Sequence, residues 1–247
     1  MSIFTPLYLK ISKKRFNKPF HPLEIIKNAH HFISVPSDPR DFLKSLFFLE
    51  GLRESGSILL LFPKTLEHIY KILKHNIIHV IFYEKLPELF SKDYEKLKKQ
   101  LGHRKFNFLI ELNVPSNISL AYLTMAEKRI CVGEKSHFPY YNIHIKSDVV
   151  TLNKFFNMPE SNPQELFHFN IHNLKKIEKR FNKKGPLLFI NEKDDVLWSG
   201  DKIIVGNDIE ISDPEIYESL YLCDAYYGVH DQCYEFAKIF NKKIIER

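Results

Sequence analysis

The sequence predicts an α/β protein with two parallel sheets, each built from strands that alternate with helices. Three observations carry this expectation. Short apolar runs at 58–62, 77–83, 106–112 and 187–190 have little polar alternation, as strands covered on both faces do. Between them lie segments whose apolar residues recur every three or four positions, which is helical spacing. Near the middle, Pro139, Tyr140, Tyr141, Pro159, Ser161, Asn162 and Pro163 interrupt the alternation and mark a linker.

Each element follows from local residues. Residues 1–30 read as a basic extension, with Lys10, Lys13, Lys14, Arg15, Lys18 and Lys27 against Glu24 alone, broken by Pro6, Pro19 and Pro22, with a short helix over 23–28. Phe32, Ile33 and Val35 form a buried strand, and Pro36, Ser37, Asp38 and Pro39 form a turn. Leu43, Leu46, Phe47, Leu49 and Leu52 line one face of the helix that follows. Gly56 is read as the glycine that ends this helix. The strand at 58–62 stops at Pro63. A helix over 65–74, a strand over 77–83, a Lys- and Glu-rich helix over 91–101 and a strand over 106–112 come next. A helix over 118–126 and a strand over 129–132 close the first half. Residues 133–165 are the linker. The second half holds a helix over 166–180, strands over 187–190 and 202–205, and a loop or short β segment over 194–199. A helix over 214–222 follows, capped by Ser212 or Asp213 with Pro214 at its first position. A strand over 225–228, a helix over 231–240 and a strand over 243–245 finish the chain. The expected division is an extension (1–30), a first domain (31–150) and a reduced second domain (151–247).

A chain of 247 residues accommodates two domains of ordinary size. Its 44% hydrophobic and 27% charged residues are a globular composition. Cys131, Cys223 and Cys233 form neither a disulfide framework nor a C-x-x-C motif, so a reducing cytoplasm is the expected location. No apolar run reaches the 18 or so residues of a membrane span, and the start lacks a signal-peptide pattern. The formal charge of +6, concentrated in the amino-terminal arm, suits peripheral contact with an anionic membrane on its inner face. The plain alternative is a solvated arm. With no RNA motif or helix-turn-helix, no nucleic acid is expected. His30 with His31, His75 with His79, and His168 with His172 each lack the further ligands a metal needs, so no metal site is expected.

The turn before the first helix and the turn near the carboxyl end carry the functional signal. Strand-to-helix turns of open parallel sheets form ligand crevices, with free N–H groups and the helix dipole facing anions. Asp41 stands in the first turn of its helix, where it either faces such a crevice or, with Asp38, caps the helix. Four stretches resemble family 9 glycosyltransferases, the ADP-heptose:lipopolysaccharide heptosyltransferases of GT-B architecture. Arg40-Asp41 stands where the family has Gly-Asp, and Leu49-Glu-Gly-Leu-Arg53 matches its Leu-x-x-Leu-Arg helix ending. Asn107-Phe-Leu-Ile-Glu-Leu112 resembles its Asp-Leu-Val-Ile-Asp-Leu strand. Ser119-Leu-Ala-Tyr-Leu123 and Lys128-Arg-Ile-Cys-Val132 resemble the next helix and strand. Cys223-Asp-Ala-Tyr-Tyr-Gly-Val-His-Asp-Gln-Cys-Tyr-Glu-Phe-Ala237 runs in register with its Ala-Asp-apolar-apolar-Gly-x-Asp-Thr-Gly-x-x-His-Leu-Ala motif.

The resemblance implies two Rossmann-like domains, an acceptor side followed by a nucleotide-sugar side. It also implies sugar transfer from a nucleotide sugar, a substrate rather than a cofactor, to a glycolipid of the lipopolysaccharide or cell envelope. Asp41 would be the catalytic base. Ser37, Arg40, Gly228, His230, Asp231, Gln232 and Glu235 would bind substrate. The chain departs from the family where the donor phosphates belong. Gln232 replaces a glycine, Glu235 replaces the histidine, and Arg40 replaces the glycine before Asp41. His230 is the best substitute phosphate contact, and its plain alternative is a structural turn residue. The second reading is a protein that keeps the fold but has lost its donor site and acts as a binding or scaffold protein.

Overall fold

The computed structural model describes residues 5–16, 29–53, 55–74, 79–133, 137–146, 152, 156, 162–181, 185–191 and 196–245. The helix expected over 23–28, His75 and the first part of the 77–83 run lie outside them. The chain divides into two compact units. The first comprises Met1–Asp38, Ser45–Glu67 and His75–Asn162; the second comprises Pro39–Lys44, His68–Lys74 and Pro163–Arg247.

The elements, in order, are α1 (Thr5–Ser12), β1 (Ala29–Ser34), α2 (Pro39–Leu52), β2 (Gly56–Pro63), α3 (Glu67–Tyr70), β3 (His79–Tyr83), α4 (Lys92–Leu101), β4 (Phe108–Glu111), α5 (Ile118–Thr124), β5 (Lys128–Val132) and β6 (Ile143–Ile145). After them come α6 (Ile171–Arg180), β7 (Leu187–Asn191), β8 (Asp201–Ile204), α7 (Ile216–Leu222), β9 (Ala225–Gly228), α8 (Gln232–Ile239) and β10 (Lys243–Ile245). The first sheet has the order β3-β2-β1-β4-β5-β6 and the second β10-β9-β7-β8. Every pairing in both is parallel. The fold is therefore α/β with two parallel sheets, and the unbroken apolar runs of β2 (Ile58 to Phe62) and β4 (Phe108 to Ile110) are those of strands buried on both faces.

Several expected elements move. Gly56 does not end α2, which stops at Leu52; it opens β2 at φ +148°, and a Cβ there would lie 1.9 Å from the Ala29 carbonyl oxygen. Its missing side chain is what lets β2 pair closely with β1. Phe47 is exposed and Phe48 takes the core position. Residues 65–74 hold a 3-10 turn at Lys64–Leu66 and the single turn of α3. The stretch taken as linker contains β6, which pairs with β5. α6 begins at Ile171, where the Asn170 side chain accepts the His172 N–H, rather than at 166. α7 begins at Ile216: the Asp213 carboxylate accepts the Glu215 N–H in a local turn, and neither Ser212 nor Asp213 caps the helix.

The first core gathers Phe32, Leu59, Leu61, Leu97, Leu109 and Leu120 around the sheet. The amino-terminal segment also joins it. Phe16 is 2% exposed and packs edge-on against Tyr122 and Tyr140 at 4.7 and 5.3 Å. Burying such a ring contributes about 2 kcal/mol. Arg129, also buried, clasps this segment. Its guanidinium donates to the carbonyls of Phe16 (3.3 Å), Tyr140 (2.6 Å) and Ala126. Lys10, Lys13, Lys14 and Arg15 remain exposed. In the second unit, Leu188, Ile190, Ala225 and Tyr227 pack on one another, and Phe167, Phe169, Tyr221, Phe236 and Phe240 form a ring cluster with centroids 4.2–6.3 Å apart. No helix among the described residues is long and apolar enough to cross a membrane.

Candidate active site

In the second unit, the first turn of α2 and the turn from β9 into α8 come together. Arg40 donates to the His230 carbonyl at 3.4 Å, and its Nε lies 4.0 Å from the Asp41 carboxylate. Lys44, one turn along, bridges two acids: Asp41 at 3.8 Å and Glu235 at 3.9 Å. Glu235 is also paired with Lys238 at 3.5 Å. The Asp41 side chain is 48% exposed, so its pairs with Arg40 and Lys44 are worth at most about 1 kcal/mol each.

The β9–α8 turn is built around Asp231. One carboxylate oxygen accepts the backbone N–H groups of Cys233 (2.8 Å) and Tyr234 (3.2 Å), the N-cap arrangement. Tyr226 donates to the same oxygen at 3.3 Å, and the Asn191 amide donates to the other. Gly228 ends β9 at φ +154°, with Asn191 Cβ and Tyr226 Oη each 2.9 Å from where a Cβ would stand. The backbone can approach Asn191 only because residue 228 lacks a side chain. The His230 ring stacks on Tyr234, with centroids 4.0 Å apart and planes 13° apart. Gln232 reaches the Ile211 carbonyl at 3.5 Å. Arg40, Asp41, Gly228, His230, Asp231, Gln232 and Glu235 thus all lie in the second unit. Asp231 serves as a helix cap whose charge occupies the amides that a phosphate would use.

Ser37 lies in the first unit, at the mouth of a different feature. A cavity of about 490 Å³ opens at the carboxyl ends of β1 and β4, lined in part by Leu9, Ser37, Leu86, Leu89, Asn113 and Ile118. Asn113 holds its walls together. Its side chain accepts the Ser37 N–H at 3.0 Å and donates to Ser34 Oγ (2.9 Å) and the Val35 carbonyl (2.7 Å). Behind it Glu111 is fully buried and accepts from the Asn113 N–H at 3.2 Å and from Tyr141 Oη at 3.4 Å. Desolvation outweighs these hydrogen bonds and pushes its pKa up to about 7.

Sequence reasoning passed over Lys44, Asn113, Glu111 and Asn191. A single acid closing the apolar run of β4 was the available signal for Glu111. Lys44 carried none, because a lysine three residues after an aspartate is ordinary helix-surface patterning. Among the described residues, no group of three or more His, Cys, Asp or Glu is placed to hold a metal.

No family model matches the sequence, and no curated protein does. Solved structures do resemble it. One is a glycosyl transferase of family 9 from Veillonella parvula, with 12% identity, 92% of this chain and 83% of that one covered, and a TM-score of 0.67. A second is E. coli ADP-heptose lipopolysaccharide heptosyltransferase II, with 10% identity, 88% and 84% coverage and a TM-score of 0.63. A third is the E. coli heptosyltransferase WaaC with ADP-2-deoxy-2-fluoro heptose, with 10% identity, 88% coverage of each chain and a TM-score of 0.53. At these identities the likeness is one of fold, and it falls on the same family that the sequence motifs resemble. The chain has the α/β fold of the GT-B heptosyltransferases of glycosyltransferase family 9.

Proposed function

We propose that the chain transfers a sugar from a nucleotide-sugar donor to a glycolipid acceptor of the lipopolysaccharide or cell-envelope type. The observation that carries this reading is the half-exposed Asp41 carboxylate at the amino end of α2, flanked by Arg40 and Lys44. In the transfer, an acceptor hydroxyl gives its proton to Asp41 as its oxygen attacks the anomeric carbon. The bond from that carbon to the diphosphate breaks, and the diphosphate leaves with the electron pair. Arg40 and the His230 ring are the groups of this unit that would meet its charge. The protein would work in the cytoplasm, with Lys10, Lys13, Lys14 and Arg15 resting on the anionic inner face of the membrane.

One observation favours the second reading, a binding or scaffold protein without transfer activity. Asp231 puts a negative charge on the amides that would hold the diphosphate, and Glu235 adds another nearby. The test is a transfer assay with ADP-, UDP- and GDP-sugars, run beside melting curves with the same donors. A bound donor must raise the melting temperature as its concentration passes Kd. Under the transferase reading one donor shifts the curve, and Asp41→Asn lowers turnover by about 100-fold or more with stability within about 0.5 kcal/mol of wild type. No shift with any donor supports the scaffold reading.

A further inference from the structure

The opposite edge of the first sheet carries a second cavity, of about 390 Å³. It opens at the amino ends of β1, β2 and β3, away from the carboxyl-end turns used in the reading above. Its floor is apolar, formed by Ile58, Leu59 and Phe106, and its rim carries His30, His79, Arg104 and Lys105. Among the described residues, no acidic residue lines it. Neither Arg104 nor Lys105 has an acidic partner among the described residues, and both are exposed. His30 Nδ1 lies 2.5 Å from Ser57 Oγ, which holds the ring at the rim.

A second observation lies in the wall. His31 is 3% exposed, stacks on Phe108 at 5.1 Å and uses Nε2 toward Ser55 Oγ at 3.2 Å. Its Nδ1 has no hydrogen-bond partner among the described residues. A buried polar atom left unsatisfied is costly, and such atoms cluster where a site is incomplete without its ligand. Cations do collect at helix carboxyl ends, and α4 ends at Leu101, just before Arg104. That effect does not account for His30 and His79, which sit on strands, nor for the apolar floor between them.

We infer that this cavity is a binding site for an organic phosphate. The phosphate sits among Arg104, Lys105 and His30, and the apolar body lies against Ile58, Leu59 and Phe106. Arginine and lysine supply charge-assisted hydrogen bonds to the phosphate oxygens. The floor selects against inorganic phosphate, because only a ligand with an apolar body removes that surface from water. A nucleoside monophosphate and an alkyl phosphate of lipid type share this chemistry.

Isothermal titration of the full chain with AMP, octyl phosphate and inorganic phosphate tests the inference and separates the two sources. The expected result is that AMP or octyl phosphate binds at least tenfold more tightly than inorganic phosphate, and the tighter of the two names the source. Arg104→Glu with Lys105→Glu weakens that binding at least tenfold without changing the melting temperature, since both side chains are exposed. Lys105→Ala alone, a milder change, weakens it a few-fold. Lys175→Ala, an exposed lysine of the second unit, leaves it unchanged. The inference is overturned if neither organic phosphate binds, if inorganic phosphate binds equally well, or if the double variant binds as wild type does. Loss of AMP binding in Arg40→Ala with retention in the double variant places the ligand in the second unit and overturns it too. The donor assay above is read with nucleotide sugars and Asp41→Asn, so either idea can fail without the other.

Discussion

Replacing Glu111 with glutamine separates two opposed titrations in the first unit. Glu111 is 0% exposed, and burial lifts its pKa from 4.5 to about 7. Between those values the unfolded chain has lost the proton while the folded chain keeps it, so this group makes stability fall as pH rises. At about 1.4 kcal/mol per pH unit of separation, the fall across the window is about 3 kcal/mol. His31 acts the other way. Burial, with His30 adding a smaller push, lowers its pKa from 6.5 to about 4. Between those values the unfolded chain binds a proton that the folded chain refuses, so stability rises with pH by a similar amount. In the wild type the two slopes largely cancel. Glu111→Gln keeps the shape: its amide oxygen still accepts the Asn113 N–H, and its amide nitrogen takes the place of the oxygen that faces Tyr141 Oη. Urea unfolding of both proteins at pH 4.5, 5.5, 6.5 and 7.5 gives the test. The stability of the variant minus that of wild type should rise by about 3 kcal/mol from the lowest pH to the highest. A difference that stays flat within about 1 kcal/mol across the series refutes the reasoning, because Glu111 would then titrate alike in both states.

Three further outcomes are expected. Asp231→Ala removes the cap of α8 and costs about 1–2 kcal/mol in denaturant unfolding, whereas Asp231→Ser, which caps without charge, recovers most of it. An equal loss in both variants would show that the bonds to Asn191 and Tyr226, not the cap, hold the turn. Gly228→Ala must place a methyl group 2.9 Å from Asn191 Cβ at a φ that L-residues avoid, and it should cost about 2 kcal/mol or more; a melting temperature equal to wild type would count against the close approach. Replacing Lys10, Lys13 and Lys14 by alanine should weaken binding to anionic vesicles by about 100-fold at low salt, at about 1 kcal/mol per basic residue. Unchanged sedimentation with such vesicles would remove the membrane from the proposal. Deleting the whole arm is the poorer experiment, since it takes Phe16 out of the core.

Most of the architecture was legible because buried parallel strands have a plain signature. Five apolar residues in a row, Ile58 to Phe62, admit few other placements between two turn signals. β6 escaped because three residues, Ile-His-Ile, sit among tyrosines and prolines that read as a linker. The starts of α6 and α7 were misplaced for a local reason. Asn170 and Asp213 bond to backbone two residues ahead, and the structure uses one bond as a cap and the other as a turn. The turn at 230–235 was visible as a strand-to-helix junction. Its internal economy was not, because Asn191 lies 40 residues from Asp231 and nothing in either stretch announces the other. Asp41 stood out by position and motif, while Lys44, which links it to Glu235, is indistinguishable in sequence from any solvated lysine. Phe16 was hidden by the charges around it.

The clasp formed by Arg129 sets an order on how the chain can be completed. Phe16 is made before the guanidinium that takes its carbonyl, which lies 113 residues further on. Tyr140, whose ring covers Phe16, comes later still. The segment is therefore made well before its seat exists, and it carries an exposed aromatic ring until then. The Arg129 guanidinium also lies 5.1 Å from the centre of the Phe16 ring and has no acidic partner among the described residues, so an empty seat leaves a buried cation poorly compensated. A tag, fusion or early cleavage that delays the segment would show first as poor folding yield, long before any effect on ligand chemistry.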